Sequence, residues 1–198
     1  MEALWLKNIS SVIKISVIKN ILIIICIYSC ISCSKQDSSV QQQGSGFLLT
    51  SSAIGPDGEL PVDYTCDGDS STLPLQWTGY PSNTACFAII MHHVASPTDI
   101  HWYWVLYNIP LNVTSLPKNV TGVGTLGTNS VNDRMEYAPP CSQGPGRKDY
   151  IITIYALSEQ PVINVAPEEV DRVVLLNAMK NITLATASMT VWYSRNVD

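Results

Sequence analysis

Two consecutive runs constrain this chain more than any other feature. Cys86-Phe-Ala-Ile-Ile-Met-His-His-Val-Ala-Ser-Pro97 is followed directly by Thr98-Asp-Ile-His-Trp-Tyr-Trp-Val-Leu-Tyr-Asn-Ile-Pro110. Both are rich in β-branched and aromatic residues, lack internal glycine or proline, and are bounded by turn formers, which predicts two strands. All three histidines, His92, His93 and His101, sit at the inner ends of these runs. A hairpin-like pair would gather every imidazole near one rim of a sheet, the place to look for function. Neighbours on a strand point to opposite faces, so His92 and His93 would not share an ion.

The rest of the chain from Phe47 onward shows short apolar runs separated by turn signals. Gly55-Pro-Asp-Gly58 and Asp67-Gly-Asp-Ser-Ser71 are turns, and Leu73-Pro-Leu-Gln-Trp-Thr78 alternates as a half-buried strand does. From Leu111 to Pro140 the periodicity fades into a stretch rich in Asn, Thr, Gly and Pro; a segment this long inside a compact domain is usually functional. Tyr150 to Leu157 and Leu184 to Tyr193 read as strands. Pro167 to Lys180 reads as one helix, with Pro and two Glu in its first turn, Lys180 in its last, and apolar residues at helical spacing. Strands dominate, with a helix near the C-terminus: a mainly β, antiparallel domain.

The N-terminus reads differently. Lys7, Lys14 and Lys19 precede the apolar run Ile21 to Ser32, the pattern of a secretory signal too short to span a bilayer. The run ends Ile31-Ser32-Cys33, which resembles a bacterial lipobox, with lipidation expected on Cys33; Cys30 after Ser29 is the weaker rival. Ser34 to Gly46 is polar and rich in Gly, Ser and Gln, a flexible tether. The expected organisation is therefore a signal peptide over 1–32, a lipidated tether over 33–46 and a domain over 47–198, in an exported lipoprotein anchored in a bacterial cell envelope. Setting Lys7, Lys14, Lys19 and Glu2 aside leaves 8 of the 11 basic and 15 of the 16 acidic residues, a balance of −7. With no cluster of Lys and Arg, nucleic acid is not an expected partner.

Three cysteines follow the lipobox, and export permits disulfides. Cys86 opens an apolar strand and reads as a buried thiol. Cys66 and Cys141 both sit in turn-rich loops and are the expected pair.

Five segments in order carry a likeness: Tyr64-Thr-Cys-Asp-Gly-Asp69, Leu73-Pro-Leu-Gln-Trp77, Trp104-Val-Leu-Tyr-Asn-Ile-Pro110, Tyr137-Ala-Pro-Pro-Cys141 and Tyr150 to Leu157. With them the chain resembles the phosphatidylethanolamine-binding proteins, in the bacterial branch named for similarity to Raf kinase inhibitor proteins. The resemblance implies a Greek-key β-sandwich with a helix near the C-terminus. It also implies a small anion-accepting pocket at one end of the sheet, walled by an Asp-Pro-Asp-Ala-Pro segment, a His before a strand Trp, a Gly-Pro-rich turn and a His-Arg-Tyr segment. Here the first Asp position is His93 and the second Ala95, with Pro97 kept. Tyr103 stands for the His before Trp104, the turn reads Ala138-Pro-Pro-Cys141, and Lys148-Asp-Tyr150 forms the last segment.

Two carboxylates are thus lost while a histidine and a lysine are gained. A cavity holding His93 and Lys148 would attract a carboxylate or phosphate more directly, and Tyr103 and Tyr137 would add hydroxyls and flat walls. The expected ligand-binding set is His93, Tyr103, Tyr137, Pro139, Lys148 and Tyr150. No His or Cys spacing supports a metal. There is no Gly-x-Ser-x-Gly elbow, and Gly122-Val-Gly-Thr-Leu-Gly127 lacks the strand and helix a phosphate loop needs. The expectation is a non-enzymatic module, without cofactor, that binds a small anion or a protein partner. Its rivals are a hydrolase using His93 or His101 as base and, by resemblance, an inhibitor of a kinase or peptidase.

Overall fold

The computed structural model describes residues 46–141 and 146–195. The chain divides into a unit Met1–Gln43, which lies outside the described residues, and a unit Gly44–Asp198, which carries the fold below. The expected signal peptide, Cys33 and most of the tether therefore lie outside the described residues.

The architecture is mainly β. Among the described residues eight strands run in chain order: β1 (Leu48–Thr50), β2 (Leu75–Thr78), β3 (Cys86–Ser96), β4 (Asp99–Pro110), β5 (Ser115–Leu116), β6 (Thr125–Leu126), β7 (Arg147–Leu157) and β8 (Thr183–Ser194). They form a three-stranded sheet ordered β1-β2-β5 and a five-stranded sheet ordered β6-β4-β3-β7-β8. Every neighbouring pair is antiparallel. The stretch Leu111 to Pro140 contributes the two-residue strands β5 and β6, too short to leave a period in the sequence.

Strand β3 explains how the layers stack. Its first six residues are all buried, because its two faces belong to different cores. Phe87, Ile89 and Met91 pack with Leu49, Leu75 and Trp77 of the small sheet and with Trp104, Leu106, Ile152 and Ile154. Cys86, Ala88 and Ile90 face the other way, toward Val105, Tyr107, Val170, Leu175 and Met179. A strand covered on both sides reads as a continuous apolar run rather than as an alternation, which is why Cys86 to Met91 carries no polar residue. From His92 the strand emerges from between these layers and its residues become half-buried or exposed.

The helical segment is shorter than its sequence suggests. Pro167–Glu169 is a 3-10 turn, and α1 spans Arg172–Met179. Asp171 caps α1, its side chain accepting from Val174 N–H at 2.8 Å. Val170 is buried and its carbonyl accepts from Thr128 N–H at 2.8 Å, so tertiary contacts break the helix where periodicity alone would continue it. Gly79 marks the tightest approach: at φ +72°, a Cβ there would sit 1.9 Å from Gly46 O.

Candidate functional site

The β3–β4 hairpin projects beyond both cores, and the three histidines part company on it. His93 lies directly opposite His101, while His92 lies opposite Trp102. His92 is on the side of α1. Burial, reinforced by the Arg172 guanidinium and then by His93, pushes its imidazole below the ordinary value.

His93 and His101 open instead onto a hollow of about 630 Å³. The hairpin contributes His93, Ala95, Asp99, His101 and Tyr103; the segment after β6 contributes Ser130, Val131 and Cys141; β7 contributes Lys148. His93 Nδ1–H donates to the Asp149 carbonyl at 2.8 Å, which leaves Nε2 as its free nitrogen. His101 Nε2 lies 3.1 Å from Asp99 Oδ1, an exposed pair. Among the described residues Lys148 has no carboxylate partner, whereas its neighbours Arg147 and Asp149 pair with each other at 2.9 Å. No three His, Cys, Asp or Glu among the described residues group as a metal site. The chemistry on offer is that of hydrogen-bond donors and positive charge around a single carboxylate.

Tyr150 forms the floor rather than the wall. It is fully buried, with its ring centroid 5.6 Å from His93 and 5.2 Å from Tyr103. Burial, then the neighbouring Tyr103 phenol, pushes its hydroxyl well above the usual phenol range. The two phenols perturb each other without aligning as a hydrogen bond, and Tyr150 Oη has no partner among the described residues. Tyr103 is likewise raised, chiefly by burial.

The wall opposite the hairpin is held by β4's own backbone. Trp102 N–H donates to Ser130 Oγ at 2.8 Å, Ser130 N–H donates to Trp102 O at 2.9 Å, and Ala138 N–H donates to Tyr103 O at 2.8 Å. Between these attachments the chain winds around buried Asn129. Its Nδ2 donates to Asn132 Oδ1 at 2.8 Å and to Arg134 O at 2.9 Å, and its Oδ1 accepts from Val131 N–H and Asn132 N–H. Cys141 is bonded to Cys66, and Cys86 is a buried free thiol. Arg195 lies beside that bridge, 3.8 Å from Cys141 Sγ and 2.7 Å from Asp67 Oδ1.

The structure brings three of the six expected ligand residues, His93, Tyr103 and Lys148, to one hollow, with Tyr150 beneath two of them. It does not bring Tyr137 or Pro139 there. Tyr137 packs edge-on against Trp104 at 5.7 Å and donates its hydroxyl to Tyr64 O at 2.9 Å. It lines a separate, smaller hollow of about 270 Å³ together with Val120, Val123 and Leu126. His101, Asp99 and Ser130 line the larger hollow without having been placed in its ligand set. The bulge at Tyr103 re-aims His101 into the hollow against the alternation counted from Trp104, so nothing local carried a signal for His101 or for Ser130.

The family model described as phosphatidylethanolamine-binding protein matches residues 50–194. A UPF0098 protein of Methanothermobacter thermautotrophicus is 32% identical over 152 residues, 74% of this chain and 98% of the relative. One from Chlamydia muridarum is 29% identical over 155 residues, 75% of this chain and 99% of the relative. Among solved structures, a phosphatidylethanolamine-binding protein homolog of Chlamydia trachomatis superimposes with TM-score 0.69 at 24% identity, covering 77% of this chain and 99% of that one. Escherichia coli YbcL gives TM-score 0.68 at 22% identity, covering 76% and 99%. With a family model matching residues 50–194 and a relative 32% identical over 98% of its length, the chain belongs to the phosphatidylethanolamine-binding protein family.

Proposed function

We propose that this chain is a non-enzymatic binding module that takes a small anion, a carboxylate or a phosphate, in the hollow at the hairpin end of the large sheet. The observation that carries this reading is the convergence of His93, His101, Tyr103 and Lys148 on one hollow whose single carboxylate, Asp99, already faces His101. Among the described residues Lys148 supplies a charge with no acid to neutralise it, and the bond at Nδ1 leaves His93 Nε2 free. The phosphodiester of phosphatidylethanolamine, after which the family is named, carries an anionic group of this class. An exported chain held at a membrane through lipid on Cys33 would present such a pocket just outside the bilayer.

A hydrolytic reading finds less support. Catalysis needs a nucleophile within hydrogen-bond reach of a base. Ser130 Oγ, the hydroxyl of a serine lining the hollow, is engaged with both the N–H and the carbonyl of Trp102.

Calorimetry with inorganic phosphate and with acetate tests the proposal. Charge-assisted hydrogen bonds contribute about 1.5–3 kcal/mol, so Lys148→Ala should weaken phosphate binding by about tenfold or more. Unchanged affinity in that variant defeats the electrostatic reading. Turnover of esters or phosphoesters that disappears in His93→Ala would favour the hydrolase instead.

A further inference from the structure

We propose that the smaller hollow, beneath the segment before β6, binds a free alkylated ammonium cation: a trimethylammonium-type head with a short uncharged tail.

The hollow of about 270 Å³ lies just under the range of ordinary ligand pockets, about 300–1,000 Å³, so its occupant is small. It shares no lining residue with the hairpin hollow. Val120, Val123 and Leu126 give it aliphatic walls, and all three pack against the main core. Trp104 and Tyr137 meet in it as an aromatic corner, their planes 77° apart and their centroids 5.7 Å apart. Both rings are held in place: Trp104 is buried, and the Tyr137 hydroxyl is tied to Tyr64 O.

The roof, Thr121 to Gly124, is fastened on either side. Before it, Val120 N–H donates to Thr72 Oγ1 at 3.2 Å, and Thr72 N–H donates to Asn119 Oδ1 at 3.2 Å. After it, Thr125 and Leu126 pair with Tyr107 and Leu106 of β4. Gly124 lies at φ +67°, where a Cβ would stand 2.6 Å from Tyr107 O, so the roof passes this close to β4 only with glycine there. The Gly-x-Gly spacing that makes no phosphate loop thus shapes the hollow.

Charge selects the occupant. Among the described residues Glu136 is the one charged side chain lining the hollow. Asn132 Nδ2 donates to its Oε1 at 2.8 Å, and among the described residues no Lys, Arg or His pairs with it. An anion would be repelled, and a neutral solute would leave that carboxylate without a counter-charge. A metal ion would give up water for a single carboxylate, where such ions take several oxygen ligands. An alkylated ammonium presents methyl groups to the aliphatic walls and is drawn to ring faces by their quadrupole, to tryptophan most strongly. A phosphorylated tail would meet no cationic side chain here, which favours the free cation over a lipid headgroup.

Calorimetric titration of the full chain at constant ionic strength tests this, with choline as the probe and neohexanol as its neutral carbon isostere. Choline should bind at least about fivefold more tightly than neohexanol. Glu136→Gln, which keeps an acceptor for Asn132, should weaken choline binding by about fivefold and leave neohexanol unchanged. Tyr137→Leu should weaken choline binding by at least about fivefold, whereas Tyr137→Phe, which keeps the ring, should not. A cooperative thermal melt shows that each variant is folded. In Lys148→Ala, where the hairpin hollow has lost its lysine, phosphocholine should bind more weakly than choline. An absence of choline binding, equal affinity for neohexanol, or indifference to Glu136→Gln or to Tyr137→Leu overturns the proposal. Phosphocholine binding as tightly as choline in Lys148→Ala overturns the choice of a free cation. None of these failures bears on anion binding at the hairpin hollow, which inorganic phosphate reads separately.

Discussion

Tyr103 and Trp104 are neighbours on β4, yet both pack toward the same core. The pairing with β3 shifts there: Met91 lies opposite Trp104, and His92 opposite Trp102, leaving Tyr103 as the extra residue of a bulge. Without it, the outer half of β4 would be turned over and Trp102 would stand opposite His93. With it, His101 takes that place and Trp102 goes to the helix side with His92. The bulge also presents two successive carbonyls, at Trp102 and Tyr103, that anchor Ser130 and Ala138. One inserted residue therefore re-aims a side chain into the hollow and ties down its far wall.

Among the described residues Asp99 is the one acid bordering the hollow, and it faces His101. Exposed pairs of this kind contribute about 0.2–1 kcal/mol. Asp99→Asn should therefore leave the melt nearly unchanged. It should tighten phosphate binding by up to about fivefold, since it removes a repelling charge and frees an imidazole. Titration calorimetry at low salt reads both quantities.

Half-buried Tyr137 and fully buried Tyr150 should respond oppositely to loss of their hydroxyls. Tyr137→Phe removes the donor to Tyr64 O and should cost about 1 kcal/mol. Tyr150→Phe removes a buried hydroxyl that has no partner among the described residues, so urea unfolding should show no loss or a small gain. A large loss at Tyr150 would mean that its hydroxyl is satisfied in solution.

The Cys66–Cys141 bridge spans a sequence separation of 75. Chain entropy for a loop of that size gives about 4 kcal/mol of stabilisation. Reduction, or the Cys66→Ser/Cys141→Ser pair, should shift the urea midpoint down correspondingly. It should also loosen the turn beside the hollow, weakening phosphate binding without abolishing it.

Acid should destabilise the domain through His92. Its folded value lies below the ordinary 6.5, first through burial and then through Arg172. The unfolded chain therefore takes up the proton at a higher pH than the folded one. Stability is complete above the unfolded value and falls as pH drops through about 6.5 toward the folded value. His92→Gln should flatten this part of the stability–pH curve, as read from urea midpoints at successive pH values.

Much of this fold is legible in the chain itself. The hairpin strands, β7, β8 and the buried thiol at Cys86 all follow from apolar runs and their boundaries, because local periodicity reports directly on which faces meet a core. The opposed faces of His92 and His93 follow from the same alternation. The short β5 and β6 left no trace, since two residues have no period, and the early break of the helix at Val170 arises from a bond to Thr128 across the fold.

The hollow divides along the same line. Sequence alone determined that His93, Tyr103 and Lys148 were the residues to watch, since the resemblance to the family's pocket segments falls on those positions. Only tertiary structure decided that His101 joins them, that Tyr137 faces away with its hydroxyl spent on Tyr64, and that Tyr150 lies beneath the site. The reason is that a bulge changes facing by one residue, and hydroxyl partners are chosen by segments far apart in the chain. Neither leaves a local mark for alternation to reveal.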